Sequence, residues 1–436
     1  MHKFSLMLLA CFCIVATNAQ KVTFTEYDLP NGLHVVLHKD NRAPVVAVSV
    51  MYHVGSKDER TDRTGFAHFF EHLLFEGSKN IPRGQFMKIV TKNGGENNAN
   101  TTQDRTFYYE VFPSNQLETG LWLESERMLH PVINEIGVKT QNEVVKEEKR
   151  MRVDNAPYGN FLATVMKRLF TKHPYNWVPI GSMEHLDAST LDEFIAFNKK
   201  YYVPNNAVLV ITGDIDIDKT KKKVQDYFGD IPAGAPVKRI QINESPITMQ
   251  IIDTAYDNNI QIPAIMTAYR TPGMTSRESM ILEMAAGVLS NGASSRMYKK
   301  MVDDKKNALT VGCFNYALED YGAYITFALP SGEQKLNDLL KDMDEELEKL
   351  QNELISENEF TKIMNQFENE YVGKNAKMLG IAENLANGYT FHNKNTNKIN
   401  EELDEVRKIT REDIRAVVKK YLNPNQRVVV YYLPKK

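Results

Sequence analysis

The sequence predicts an α+β protein built from two similar domains, and three observations carry that reading. The first is a long internal repeat. Residues 199–205 read Lys-Lys-Tyr-Tyr-Val-Pro-Asn and precede an apolar strand at 207–212, while residues 419–425 read Lys-Lys-Tyr-Leu-Asn-Pro-Asn and precede another at 427–433. The offset is 220 residues at each matching position, and Leu191-Asp192-Glu193 stands opposite Arg411-Glu412-Asp413 at the same spacing. Helix, Pro-Asn turn and terminal strand therefore occur twice, and a period this long means two related domains and not a solenoid. The second observation is the mixture of short strand-like runs with helical spacing in both halves. The third is residues 230–237 (DIPAGAPV), whose prolines and glycine mark a linker. The expected organisation is a leader at 1–19, a first domain at 20–229, a linker at 230–245 and a second domain at 246–436.

Composition sets the outer limits. The chain has 436 residues and a formal net charge of −3, which excludes a nucleic-acid-binding class driven by positive charge. His2 and Lys3 precede an apolar run at 4–16 that ends in Thr17-Asn18-Ala19, the pattern of a secretory signal cleaved after Ala19. The run is too short to span a bilayer, and no later segment is long and apolar enough. Leu8-Leu9-Ala10-Cys11 also resembles a bacterial lipoprotein box, which makes lipidation at Cys11 the minor alternative. With Cys11 and Cys13 in the leader, the mature chain keeps Cys313 alone and has no internal disulfide. Its thiol reads as a buried small apolar group, not a nucleophile. An exported protein, in a bacterial periplasm, is the expectation.

In order along the chain, residues 22–29 and 33–38 are strand-like and flank Pro30-Asn31-Gly32, a strong hairpin signal. Residues 44–54 form a third strand. Helices are expected at 86–92, 114–129, 139–152, 161–170, 190–202 and 219–228, with strands within 98–113 and at 207–212. In the second half, helices are expected at 278–289, 296–302 and 336–354, strands at 309–316 and 322–329, and a capping box at Ser356–Glu359. The acidic run 342–348 reads as a solvated helix face.

The chemistry concentrates in residues 64–77, TGFAHFFEHLLFEG. On a helix, His68 and His72 are four apart and project from one face, where two imidazoles can hold zinc at about 2.0–2.1 Å. Glu71 lies at the same edge, positioned to take a proton from water. The order His-x-x-Glu-His is the reversed form of the commoner zinc-peptidase motif. A catalytic zinc wants a third protein ligand, and Glu147 and Glu148 sit on a downstream helix where one could come from.

The sequence resembles the pitrilysin/insulinase-type zinc metallopeptidases, and in particular the short bacterial members similar to mitochondrial processing peptidase subunits. The resemblance rests on Gly65-x-Ala67-His68-x-x-Glu71-His72 with Gly77, then Gly94-Gly95, Asn98-Ala99, Thr101 and Asp104. It continues through residues 143–148 (EVVKEE), His173-Pro174-Tyr175, Pro179-Ile180-Gly181, Tyr202-x-Pro204-Asn205-Asn206 and Ser295-Arg296-Met297-Tyr298. It implies two domains, each a mainly antiparallel sheet packed with helices, together forming half of a clamshell. It implies one zinc ion per chain held by His68, His72 and Glu148, with Glu147 as the alternative; the two point about 100° apart on a helix, so one alone can face the metal. Some relatives carry a further carboxylate seven residues before the ligand, where this chain has Gln141.

The implied activity is zinc-dependent hydrolysis of extended peptides, with Glu71 as the catalytic base. The segment around Asn98 and Ala99 resembles the family's edge strand, which the resemblance implies pairs with extended substrate. The second domain carries no histidine at the repeated position, residues 288–292 (VLSNG). Full-length relatives also use an arginine and a tyrosine from a later domain; the aligned residues here are Val302 and Leu309. The resemblance therefore implies a catalytic subunit that pairs with a second homologous chain carrying the Arg/Tyr pair, or a homodimer. A non-catalytic scaffold or peptide-binding subunit is the alternative.

Overall fold

The computed structural model describes residues 21–435, so the predicted leader, with Cys11 and Cys13, lies outside the described residues. The Asn31-Gly32 turn joins β1 (Thr25–Asp28) to β2 (His34–Lys39) as an antiparallel hairpin. Gly32 takes a φ of +84° there, which glycine adopts without steric cost. The first half continues with β3 (Val45–Tyr52), α1 (Phe66–Leu73), α2 (Phe86–Lys92), β4 (Glu96–Thr101) and β5 (Thr106–Pro113). Next come α3 (Leu117–Leu129), α4 (Glu135–Lys149), α5 (Phe161–Leu169), α6 (Met183–Asp187), α7 (Leu191–Tyr201), β6 (Ala207–Gly213) and α8 (Ile217–Phe228). The sheet order is β1-β2-β6-β3-β5-β4. Every pairing is antiparallel except β2 with β6. One side of β4 is an open sheet edge.

The second half contains β7 (Ile251–Asp257), β8 (Ala264–Pro272), α9 (Arg277–Ser290), β9 (Ala308–Ala317) and β10 (Tyr321–Pro330). It closes with α10 (Leu336–Asn352), α11 (Glu357–Asn375), α12 (Met378–Phe391), α13 (Lys398–Val406), α14 (Arg411–Tyr421) and β11 (Arg427–Pro434). Its order, β7-β11-β8-β10-β9, is the first sheet without β1, and its parallel pair, β7 with β11, falls at the matching place. The two halves are thus the same α+β unit twice. The 220-residue offset holds at α7/α14 and β6/β11, but α1 begins at Phe66 and α9 at Arg277, an offset of 211. The counterpart of the His68 helix therefore lies earlier than residues 288–292. Strands β7 and β8 and helix α12 are absent from the sequence reading.

Alternation along the strands separates two packing faces per sheet. In the first sheet, Val35, Leu37 and Val48 face a core closed by α1, α3, α7 and α8, while Val36, Met51, Val208 and Val210 face the other way. That second face is covered by Ile381, Ala382, Leu385 and Ala386 of α12, from the other half. The exchange is reciprocal. Val165, Met166 and Leu169 of α5 pack on Met266, Ala268, Ile325, Val428 and Val430 of the second sheet. Each half thus completes the other's core.

The segment following α8 runs without regular structure to β7, yet it is fastened. Glu244 Oε1 accepts from the backbone N–H groups of Thr171, Lys172 and His173 at 2.6–2.7 Å. A further expectation fails. The acidic run in α10 is not simply a solvated face, because Asp342 and Glu346 are buried. Lysines from the short π-helix Tyr298–Asp304, where the sequence predicts a helix at 296–302, and from its cap reach them: Lys305 Nζ lies 2.5 Å from Asp342 Oδ1 and Lys300 Nζ 3.2 Å from Glu346 Oε1. Asn307 Nδ2 donates to Asp342 Oδ2 at 2.7 Å. A buried carboxylate needs such partners. Burial pushes the Cys313 thiol far above its ordinary range, which disfavours the reactive thiolate.

Candidate metal centre and active site

Helix α1 is short, and its inner face is fixed by packing. Phe66, Ala67, Phe69, Phe70 and Leu73 are buried, which turns His68, Glu71 and His72 together toward α4. The N-cap, Gly65, has φ +102°. A Cβ on neighbouring Gly181 would stand 2.3 Å from Gly65 N, so these two glycines let the 179–181 loop lie against the start of the helix. Tyr108 is buried in β5 and donates from its hydroxyl to Phe70 O at 2.9 Å.

Three potential donor atoms converge. Glu148 Oε2 lies 3.1 Å from His72 Nε2 and 3.5 Å from His68 Nε2. Ligand atoms of His68, His72 and Glu148 all lie within 4.8 Å of one another. Tetrahedral zinc with bonds near 2.0–2.1 Å would set its ligands about 3.3 Å apart, so the spacing fits that ion. The polar accounting agrees: Glu148 Oε2 and His68 Nδ1 are buried without a hydrogen-bond partner, a costly arrangement that a cation at the first of these atoms would relieve. Glu147 is turned outward to Arg150 Nη1 at 3.0 Å, and its side chain is 59% exposed. Gln141 is also turned away and donates to Glu76, not to the cluster.

The electrostatics favour ligand-ready forms. Burial, reinforced by neighbouring His72, holds the His68 imidazole down to about 4. The His72 ring beside Glu148 holds that carboxyl below its ordinary range. Burial raises Glu71, as suits a group that must take up a proton. Glu71 Oε2 accepts from Thr101 Oγ1 at 2.6 Å, so the end of β4 holds the carboxylate beside the cluster.

Asn98 and Ala99 lie mid-way along β4, opposite Tyr109 and Tyr108. Ala99 N donates to Asn98 Oδ1 at 2.9 Å. Two participants escaped the sequence reading. Thr101 appeared there only as part of a motif. Arg152, whose Nη1 lies 2.8 Å from Glu148 Oε1, is four residues beyond Glu148, a helical spacing that could have flagged it. Val302 packs against the second-half core and Leu309 is exposed; neither offers a polar group.

Known proteins agree with this architecture. Residues 34–176 match the family described as Insulinase (Peptidase family M16), and residues 188–367 match the Peptidase M16 inactive domain. The zinc protease PqqE of Helicobacter pylori is 29% identical over 342 residues, 77% of this chain and 76% of that protein. An uncharacterized zinc protease of Mycobacterium leprae is 28% identical over 306 residues, 69% and 67% of the two chains. Among solved structures, a protease from Helicobacter pylori superposes with a TM-score of 0.90 at 26% identity, covering 95% of this chain and all of that one. The periplasmic protease PqqL from Escherichia coli shares the fold at a TM-score of 0.76 and 18% identity; 94% of this chain covers 47% of that one. With both halves matched to one family in the order the folded chain displays, the protein belongs to the insulinase-type peptidases of family M16.

Proposed function

We propose that the protein is a zinc-dependent endopeptidase acting on extended peptides, with Glu71 as its catalytic base. The observation that carries the reading is the convergence of His68 Nε2, His72 Nε2 and Glu148 Oε2 beside a carboxylate held from the sheet edge. Zinc bound by these three residues would act as a Lewis acid, polarising the scissile carbonyl and acidifying water. Glu71 accepts the proton of the attacking water and returns it to the leaving amine. Thr101 fixes the carboxylate oxygen that faces it. The open edge of β4, around Asn98 and Ala99, holds substrate by backbone pairing, which tolerates varied sequences and selects for extended chains.

The residues at the Arg/Tyr positions, Val302 and Leu309, supply no hydrogen bond to substrate. The working enzyme is therefore half of a clamshell that closes with a second homologous chain, or with a second copy. Export to a bacterial periplasm follows from residues 1–19, with anchoring at Cys11 as the alternative. Among the described residues no helix is long and apolar enough to cross a membrane. A second reading, peptide binding without cleavage, is favoured by the absent Arg/Tyr pair. One experiment separates them: zinc content and cleavage of a long unstructured peptide, measured on the same sample of mature chain and on Glu71→Gln. Zinc with Glu71-dependent cleavage supports the peptidase. Zinc without cleavage, alone or with a homologous partner, supports the binding subunit. Absence of zinc overturns the site.

A further inference from the structure

Helix α1 has only eight residues, and its N-cap is a glycine with no side chain to serve the first amides. Yet those amides are not left to water. Glu59, buried in the loop before the helix, accepts from Gly65 N at 2.9 Å through Oε2 and from Ala67 N at 2.8 Å through Oε1. Trp177 Nε1 donates to Glu59 Oε2 at 3.1 Å. Burial pushes this carboxyl upward, but N–H donors face both oxygens. The three N–H groups pull against that rise and favour the ionised form, which also complements the positive end of a helix.

The loop that carries Glu59 is itself a junction. Ser56 N donates to Thr102 O at 3.1 Å and Lys57 N to Gln103 O at 2.9 Å, which ties the loop to the turn leaving β4, immediately after Thr101. Lys57 Nζ lies 3.0 Å from Asp104 Oδ1 and 3.1 Å from Asp320 Oδ2, so the same loop grips the β9–β10 turn of the second half. His68 lies in the first turn of α1, one residue beyond the amide that Oε1 holds.

We propose that Glu59 is a positioning residue for the active site: its carboxylate clamps the first turn of α1 and thereby sets His68 and Glu71 in register with β4 and Glu148. The inference rests on the peptidase reading for its catalytic consequence, but the clamp itself requires no metal.

The test compares wild type with Glu59→Gln and Glu59→Asp in the mature full-length chain. Glutamine keeps the shape but offers one acceptor oxygen and sets an NH2 against an N–H. Aspartate keeps both acceptors on a stem one methylene shorter. Three quantities are read: amide hydrogen exchange of residues 66–72 in metal-free protein, the zinc Kd by competition with a chromophoric chelator, and kcat against KM for peptide cleavage. In Glu59→Gln the α1 amides exchange at least ~10-fold faster relative to those of α4, zinc Kd rises at least ~10-fold, and kcat falls while KM stays within about 2-fold. Glu59→Asp lies between wild type and glutamine, and serves alone if the glutamine variant does not fold. A merely structural carboxylate would lower thermal stability and leave α1 exchange and zinc Kd at wild-type values; that result in either variant overturns the proposal. If wild type binds no zinc, the peptidase reading fails, while the exchange measurement still decides the clamp.

Discussion

The two halves share a strand order, yet the helix after the second strand of each repeated unit is anchored differently. In the second half α9 has fourteen residues and caps itself, with the Ser276 side chain accepting from Glu278 N. In the first half α1 has eight residues, no N-cap side chain, and a carboxylate brought in from outside. The partner helices differ in chemistry too. Where α1 and α4 bring two imidazoles to a carboxylate, α9 and α11 line a groove with Glu283, Gln366 and Glu370, beside Cys313 of β9. That set offers no imidazole. The comparison teaches that the scaffold is separable from the site: the second half repeats the strand order, while among the described residues the His/carboxylate cluster lies in the first half.

The largest expected effect tests that separation directly. Glu71→Gln keeps the ligand set and should retain zinc, but it removes the base and lowers kcat by about 10²–10⁴-fold. Glu283→Gln and Glu370→Gln, in the matching place of the second half, should leave kcat within about 2-fold. Peptide cleavage assays with zinc analysis on each variant check this. A second-half variant as inactive as Glu71→Gln would break the comparison.

Much of this asymmetry is legible in the sequence, and the rest is missing for identifiable reasons. His68, Glu71 and His72 stand out because a helix converts their spacing into one face. The 220-residue repeat exposes α7–β6 and α14–β11 because both copies keep the Pro-Asn turn. Choosing Glu148 over Glu147 depends on the rotation of α4 against α1, a tertiary fact that the resemblance anticipated and periodicity does not contain. The exchanged helices are hidden for the same reason: amphipathic spacing gives α5 and α12 an apolar face but does not say which sheet receives it. Strand β7 escapes because Ile251, Ile252 and Tyr256 are exposed on an outer strand, so burial imposes no alternation on its sequence. Asp342 and Glu346 mislead because an acidic run looks the same whether water or lysines neutralise it.

Buried charge offers the next contrast. In the first half Arg127, Glu110 and Glu124 are all completely buried, and the guanidinium sits 4.4–4.5 Å from the ring centres of Phe75, Phe86 and Tyr108. Burial and the adjacent Glu124 push Glu110 well above the carboxylate range. Removing the guanidinium leaves these two buried acids without their cation, and Arg127→Ala should destabilise the protein by about 3–5 kcal/mol. The second half's Arg427 faces Asp344, whose side chain is 29% exposed. Water reaches that acid, so Arg427→Ala should cost less. Denaturant unfolding of both variants ranks them, and equal losses would blunt the contrast.

The exchanged helices should behave alike where the charges do not. Leu169 of α5 and Leu385 of α12 are both fully buried, each in the core beneath the other half's sheet. Leu169→Ala and Leu385→Ala should each cost about 2–5 kcal/mol, and each should lower the unfolding of both halves in one transition. Hydrogen exchange of β6 and β11 amides in the two variants reads this. Two separate transitions would mean that the halves are only loosely joined, and that the exchange of helices is packing without cooperativity.

The smallest effect lies at the joint itself. Asp320 Oδ2 is 3.2 Å from His173 Nε2 and 3.1 Å from Lys57 Nζ. Burial alone would raise this carboxyl, but the hydrogen bonds and charges of His173 and Lys57 outweigh it and hold the group at about 2, below its ordinary 3.8. A depressed folded value means that ionised Asp320 stabilises the folded state above the unfolded pKa, and that the contribution is lost as pH falls from 3.8 toward 2. The side chain is 38% exposed, so solvent screening keeps the contribution to about 1 kcal/mol or less. Asp320→Asn should therefore be slightly less stable than wild type at pH 7, with the difference closing as pH approaches 2. Denaturant midpoints across that range measure it. A gap that persists unchanged at the acid end would show that Asp320 joins the halves through shape and hydrogen bonding, not through its charge.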